Sequence, residues 1–546
     1  MRAPRFAMGL AAGALAAIGA GAAHGATPRW HPPVAISPQG SNPARPAVAL
    51  ASRGEAIAAW RASSRGRVRV EVRVRRGLRA PWSAAHVLAT RSVSTSQPLS
   101  NPAVAMNARG DAVVLWQVAQ GPLRSAVRRG WTGSWRTATV PAPPAGADPD
   151  AAFATPRLAI APDGAAVALW TAQETGAWAA RGALLAAGAR TWQETPAPPL
   201  DPALPAPPRY GPPRIAVGPA GDAVVVWTAP SSVPGPGGSA LRVVRRIGTG
   251  PWGAPVTPAD PVGRAGEPAV SANGRVAVVW TGAEATPPSP VQVAVGEPGA
   301  AGLGAPDAIP AAAWETASAV NSRGDVLVAW SGLNEGAAHA AVRPAGGAWG
   351  ATMTAEGGIA PTIGYEGAPV ALDEAGTAHV GTFFADPDAQ AHEWPFSVVT
   401  GTARGWAAPR RVSYGGGDGA IATAPGGTAI VLARGEPGTI WAASYDALPD
   451  VRVTARLHGR RSAGRRVVCW TVRVRNAGRI AAQGVRLRLR PRPGRPALRR
   501  LGRLAPGATR TIVIVVRLPR GPGAVSLQAT VSAGGMPPVW VRRALP

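Results

Sequence analysis

A turn glycine followed six residues later by a tryptophan recurs along this chain, and nothing else in the sequence constrains the fold as strongly. The glycines are Gly54, Gly110, Gly164, Gly221, Gly274, Gly324, Gly376 and Gly427, spaced by 56, 54, 57, 53, 50, 52 and 51 residues. The tryptophans are Trp60, Trp116, Trp170, Trp227, Trp280 and Trp330, with Thr382 and Ala433 at that position in the last two copies. A period of this size marks an array of supersecondary units that cannot bury their apolar faces alone.

The second copy shows what one unit is. Pro102–Met106 is apolar, Asn107–Gly110 is a turn, and Ala112–Trp116 is apolar at every position. Two short runs around a glycine turn predict a β-hairpin. An uninterrupted apolar strand predicts burial on both faces. A third run follows, as in Arg67–Arg76, Leu241–Arg246 and His339–Arg343. A fourth carries a second tryptophan, at Trp82, Trp135, Trp192, Trp252, Trp349 and Trp406. Four short strands per repeat match a propeller blade. Because the tryptophans repeat at one register, they read as packing between blades rather than as glycan platforms. Asp111, Asp222 and Asp325, with Glu55, follow the turn glycine and read as hairpin chemistry.

The eighth copy has three strands, Ala420–Ala424, Thr428–Ala433 and Thr439–Asp446. Its missing fourth would read W-x-x-P-V, and that pattern stands at Trp30–Val34. We therefore expect the N-terminal strand to complete the last blade and close the ring, which removes open sheet edges. The predicted fold is all-β: an eight-bladed β-propeller over residues 27–448, seven if one degenerate copy lies outside the ring. A basic β-sandwich follows over 449–546.

Residues 1–26 carry Arg2 and Arg5, an Ala/Gly-rich apolar stretch and small residues near Ala26. This is the pattern of a secretory signal peptide. No later apolar run is long enough to span a membrane. The single cysteine, Cys469, allows no disulfide and reads as packing. All 57 basic residues are arginine, which with 68 Gly and 59 Pro fits the codon bias of a GC-rich genome.

Codon bias does not explain the distribution of charge. Residues 451–546 hold 22 Arg and no Asp or Glu, against a net charge of +28 for the whole chain. Predicted strands here are Val451–Leu457, Val467–Arg475, Gly484–Arg490, Thr509–Leu518, Ala524–Ser532 and Pro538–Arg542. Their number and spacing suit an immunoglobulin-like sandwich. Alternation places Val468, Trp470, Val472 and Val474 inward with Arg473 and Arg475 outward. It likewise places Val485, Leu487 and Leu489 inward with Arg486, Arg488 and Arg490 outward. If these two strands pair as a hairpin, the five arginines form one patch. Its members would lie about 6.6–6.8 Å apart along a strand, within a Debye length of about 8 Å. Such a patch attracts acidic polymers, anionic lipid heads or nucleic acid.

The run from Cys469 to Arg490, with Asn476, Gly478, Gly484 and Val485, followed by Leu504, Pro506 and Gly507, resembles the cell-adhesion-related (CARDB-type) immunoglobulin-like domains of exported bacterial proteins. That resemblance covers the tail alone and implies a surface or spacer module. The turn-plus-tryptophan hairpins loosely resemble the Asp-box repeats of sialidase-like propellers, without the S-x-D-x-G-x-x-W box itself. The family chemistry would need three arginines, a tyrosine with its glutamate, and an acid. Tyr365 and Glu366 are adjacent, and adjacent strand residues point apart. No H-E-x-x-H or G-x-S-x-G occurs. The D-P-D pairs Asp148/Asp150 and Asp386/Asp388 read as loop turns rather than calcium ligands.

No catalytic residue, metal site or cofactor is therefore assigned. The sequence reads as an exported, noncatalytic, monomeric binding protein of the cell envelope or extracellular space. Its propeller faces a glycan or protein partner, with Pro141–Pro156, Thr195–Pro213 and Pro230–Ser239 as the contact loops. The tail holds anionic surface polymer noncovalently through Arg473, Arg475, Arg486, Arg488 and Arg490. The alternatives are a glycan-acting hydrolase of the sialidase-like propeller type, and polyanion or nucleic-acid binding through the tail.

Overall fold

A computed structural model describes residues 29–546 except 53, 79, 93–100, 118–122, 142–155, 175–176, 201–211, 234–238, 284–289, 333–336, 357, 360–368, 384–394, 415–417, 426, 437, 447–450, 463–464, 477–480, 493, 506, 518–524, 534–538 and 546. The expected signal peptide, Tyr210, Tyr365, Glu366 and both D-P-D pairs lie outside the described residues. Every regular element among those described is a β-strand. The chain divides between Ala447 and Leu448 into two compact units.

In the larger unit each repeat forms an antiparallel sheet whose strands follow in chain order. The second repeat pairs Ala103–Met106, Ala112–Gln117, Leu123–Arg128 and Arg136–Thr139 in sequence. The turn glycines all take positive φ, between 80° and 96°. At Gly110 the N–H donates to Asn107 O at 3.0 Å, closing a turn that a side chain could not enter: an added Cβ would sit 2.5 Å from the Trp131 ring.

The all-apolar second strand is buried on both faces, as its composition demands. Val114 and Trp116 pack on Ile57 and Val70 of the preceding sheet, while Val113 and Leu115 pack on Ala166 and Ala168 of the following one. The same exchange continues from sheet to sheet. In the last such cluster Ile430 and Leu432 meet Ala56, Ala58 and Trp60 of the first repeat. The first strands of successive sheets also contact one another, and Gly419–Thr423 of the last contacts Pro43–Leu50 of the first. Two strands serve neighbouring sheets at once: Val256–Ala265 and Asp307–Val320 each pair on both sides.

The sheet of the eighth repeat takes its outer edge from the start of the described chain. Trp30 pairs with Tyr445, and Val34 with Ala442, antiparallel to Thr439–Asp446. Trp30, His379 and Tyr445 form an aromatic cluster there, with ring centroids 4.9–5.4 Å apart. Trp30 Nε1 donates to Thr400 Oγ1 at 2.9 Å, and the same hydroxyl contacts His379 Nδ1 at 3.0 Å. Burial lowers the His379 pKa to about 3.

The aspartates after the turn glycines have one role in three repeats. Asp111, Asp222 and Asp325 each accept a backbone N–H from the turn between the third and fourth strands, at Gly130, Gly248 and Ala345, 2.8–3.0 Å away. Asn107 and Asn321 tie two of these carboxylates to the next sheet by donating to Ala161 O and Asp373 O.

The smaller unit has two antiparallel sheets. One orders Val451–Ser462, Arg465–Asn476 and Thr509–Arg517. The other orders Ala497–Leu504, Ala482–Arg492, Val525–Ser532 and Val539–Leu545. Ala497–Leu504 is a strand that sequence reading does not anticipate. Its arginine-rich pattern lacks an apolar alternation, because it is an edge strand with little to bury. Trp470, Val472 and Val474 share one core with Leu487, Leu489, Leu527 and Val531.

Two outcomes follow. Trp280→Ala, which empties a fully buried site between two sheets, should cost about 3–5 kcal/mol, read from denaturant unfolding. His379 stays neutral in the fold down to about 3, whereas the unfolded chain binds its proton below roughly 6.5. Stability supported by the neutral ring is complete above that value and falls as pH drops, by at most about 1.4 kcal/mol per unit. His379→Phe should remove that slope from a pH series of unfolding midpoints.

Candidate functional site

Strand direction sorts the connections of the larger unit. With four antiparallel strands in chain order, the first-to-second and third-to-fourth turns share one end. The second-to-third loops and the sheet-to-sheet links share the other. The proline-rich connections singled out in the sequence all belong to that second end: their described flanks include Pro141, Pro156, Pro213, Pro230 and Ser239. Asp260 pins one of them, accepting Ser232 N–H at 3.0 Å and Ser232 O–H at 2.6 Å, with a further bond from Ser231. These side-chain hydrogen bonds hold the Asp260 carboxyl below its ordinary value.

A charged cluster stands at the same end, where the first strands begin. Arg157 opens one first strand and Arg214 the next, and Glu267 precedes a third. Glu267 receives Arg157 Nη2 at 2.9 Å on one oxygen and Arg214 Nη1 at 2.5 Å on the other. Arg157 Nε also donates to Ile215 O at 3.2 Å. The Glu267 backbone bonds to Thr316 and Ser318 of a further sheet. One carboxylate thus joins neighbouring sheets, and it neutralises one of two guanidinium charges whose side chains stay partly exposed.

The repeated tryptophans pack within and between the sheets. Those of the second strands are buried, Trp60 and Trp280 completely. Four of the six fourth-strand tryptophans lie under arginines of their own sheet: Arg75 over Trp82, Arg128 over Trp135, Arg246 over Trp252 and Arg343 over Trp349, at 5.0–5.4 Å. Trp192 is buried and donates to Ser125 Oγ at 2.9 Å, and half-buried Trp406 donates to Ala351 O at 2.9 Å. Burial lowers the Arg75 pKa to about 10 and pushes Arg128 and Arg246 down as well. A ring face already covered by guanidinium is not open for sugar stacking. Among the described residues no three His, Cys, Asp or Glu side chains gather into a metal-binding group, and no helix is long and apolar enough to cross a membrane.

The tail corrects the expected patch. Arg473, Arg475, Arg486, Arg488 and Arg490 are all exposed, and alternation assigns their faces as expected. The two strands that carry them do not pair as a hairpin. Arg465–Asn476 lies in one sheet and Ala482–Arg492 in the other. Both strands turn their apolar side chains into the same core, so Arg473 and Arg475 face away from Arg486, Arg488 and Arg490. The two strands instead cover each other's apolar faces across the core, where Trp470, Val472 and Val474 meet Val485, Leu487 and Leu489.

Each face gains residues that sequence reading missed. On one, Arg486, Arg488 and Arg490 continue into exposed Arg492, with Arg500 opposite Arg486 on the edge strand. The next strand sets Ser532, Thr530, Gln528 and Ser526 opposite this column, and exposed Arg542 lies opposite Gln528. On the other face Arg452 stands opposite Arg475, Thr454 opposite Arg473 and Arg456 opposite Thr471, with Thr509 and Thr511 on the third strand. Period-two alternation alone would have found Arg492; the cross-strand neighbours needed the pairing register.

No protein-family model matches the chain, and no curated protein matches it. Solved structures do. AofleA from Arthrobotrys oligospora is similar at 14% identity and a TM-score of 0.32, over 61% of this chain and 91% of that one. The lectin of Aleuria aurantia, described as a six-bladed β-propeller with fucose recognition, is similar at 13% identity and a TM-score of 0.32, over 57% and 95%. The polysaccharide lyase Uly1 is similar at 12% identity and a TM-score of 0.37, over 61% and 87%. Proteins described as β-propellers are among these structural neighbours.

Glu267→Ala should leave Arg157 and Arg214 unpaired and lower stability by about 2 kcal/mol in thermal unfolding. Glu267→Gln, which keeps hydrogen-bond acceptance but not the charge, should cost less.

Proposed function

We propose that the protein is an exported, noncatalytic binding protein of the cell envelope or extracellular space, and that its tail unit holds it to an anionic surface polymer. The observation that carries this reading is the column Arg486, Arg488, Arg490 and Arg492. All four are exposed on one sheet face, flanked by Arg500 and hydroxyl or amide side chains, in a segment with no acid. Alternate residues on a strand repeat every 6.6–6.8 Å or so, so the four guanidinium groups form a row of positive charge along which an extended polyanion can lie. Acid-free surroundings leave the attraction uncancelled.

The tail is read as an immunoglobulin-like sandwich over 449–546, in keeping with its two sheets on one core. Residues 27–448 are read as a closed eight-bladed propeller. Support comes from the inter-sheet clusters that return to the first repeat and from the pairing of Trp30 with Tyr445. The propeller would offer its loop end, around Arg157, Arg214 and Glu267, to a glycan or protein partner. Export is read from the pattern of residues 1–26.

The test is binding of the full chain to labelled inorganic polyphosphate. With about four groups neutralised, affinity should fall on the order of 50-fold between 50 and 200 mM salt. Arg486→Thr/Arg488→Thr/Arg490→Thr should weaken binding at least tenfold without moving the unfolding midpoint, because threonine suits an exposed strand. Affinity indifferent to both salt and substitution would remove the polyanion reading.

A further inference from the structure

The two arginine groups of the tail stand on different sheets. We infer that the tail unit is a bivalent bridge, with two separate faces that each bind one acidic polymer chain. This rests on the polyanion reading above and adds the number of sites and their arrangement.

The two faces are independent by geometry. Arg473 and Arg475 lie outward on the three-stranded sheet, beside exposed Arg456, Thr454, Thr509 and Thr511. Arg486, Arg488, Arg490 and Arg492 lie outward on the four-stranded sheet. Between them is the shared core of Trp470, Val472, Leu487, Leu489, Leu527 and Val531. Packed sheets are about 10 Å apart between backbones. Arginine side chains extend that separation on both sides, beyond a Debye length of about 8 Å at physiological salt. A chain bound to one face therefore repels a chain on the other only weakly. Neither face carries a carboxylate, since residues 451–546 contain none. Each also sets hydroxyl side chains beside its guanidinium groups, which together donate to phosphate or carboxylate oxygens.

One such face would tether the protein to a surface. Two would cross-link neighbouring polymer chains. The ligand class is a linear polymer with repeated acidic groups, phosphate or uronate.

The test uses the full chain and three variants: Arg473→Thr/Arg475→Thr, Arg486→Thr/Arg488→Thr/Arg490→Thr, and all five together. Short polyphosphate measures stoichiometry by sedimentation, and long polyphosphate or polygalacturonate measures cross-linking by light scattering. Expected are two short chains per protein and scattering for the native chain, one chain and no scattering for either single-face variant, and neither for the combined variant. Circular dichroism and unfolding midpoints confirm that the variants fold. A native stoichiometry of one, or scattering that survives loss of either face, overturns the bridge while leaving polymer binding in place. Absence of binding to both polymers overturns the polyanion reading itself. Binding to anionic vesicles but to neither polymer overturns both in favour of a membrane surface.

Discussion

Burial of the second strand of each repeat on both of its faces is the constraint on which the larger unit depends. A strand such as Ala112–Gln117 has no polar side to show to water before Gln117, so it needs a sheet on either side. Each neighbour has the same need. Val114 and Trp116 serve one interface and Val113 and Leu115 the other, so no sheet is satisfied until the succession returns on itself. The meeting of Ile430 and Leu432 with Ala56 and Ala58 is what that requirement produces.

Polar chemistry in this unit follows the same logic. Asp111, Asp222 and Asp325 hold backbone N–H groups of their own sheet's second turn, and Asn107 and Asn321 reach across to the next. Arginines at the ends of four third strands cover the tryptophans of the following strand. These features repeat because the interface repeats, and repetition at one register is a mark of assembly rather than of a ligand. Two groups stand apart from that pattern among the described residues: Arg157 and Arg214, which share a register in successive repeats but converge on the one carboxylate of Glu267, and the Trp30–His379–Tyr445 cluster at the seam with the N-terminal strand.

The tail inverts the balance. Its core is small and ordinary, and its surface is unusual. Alternation in Cys469–Asn476 and Gly484–Arg490 makes the inward and outward sets legible from sequence, and the structure keeps both sets. The pairing partner was not legible. Two arginine-rich strands separated by a short glycine-containing segment have the form of a hairpin, and local pattern contains nothing that distinguishes a hairpin from a crossover between sheets.

Sequence by itself determined the period, the positive-φ turns, the doubly buried strands and the face on which each tail arginine lies, because these are local consequences of residue type at a spacing of one or two positions. It also marked Trp30–Val34 as a stray fourth strand, since that segment repeats the pattern of its counterparts. Tertiary structure decided what depends on partners distant in the chain: which strand lies beside which, that Glu267 gathers arginines from two other repeats, and that the basic groups of the tail stand on opposite faces. The physical reason is that side-chain direction is set by the backbone of the residue itself, whereas strand neighbours are set by which arrangement covers every apolar face at once.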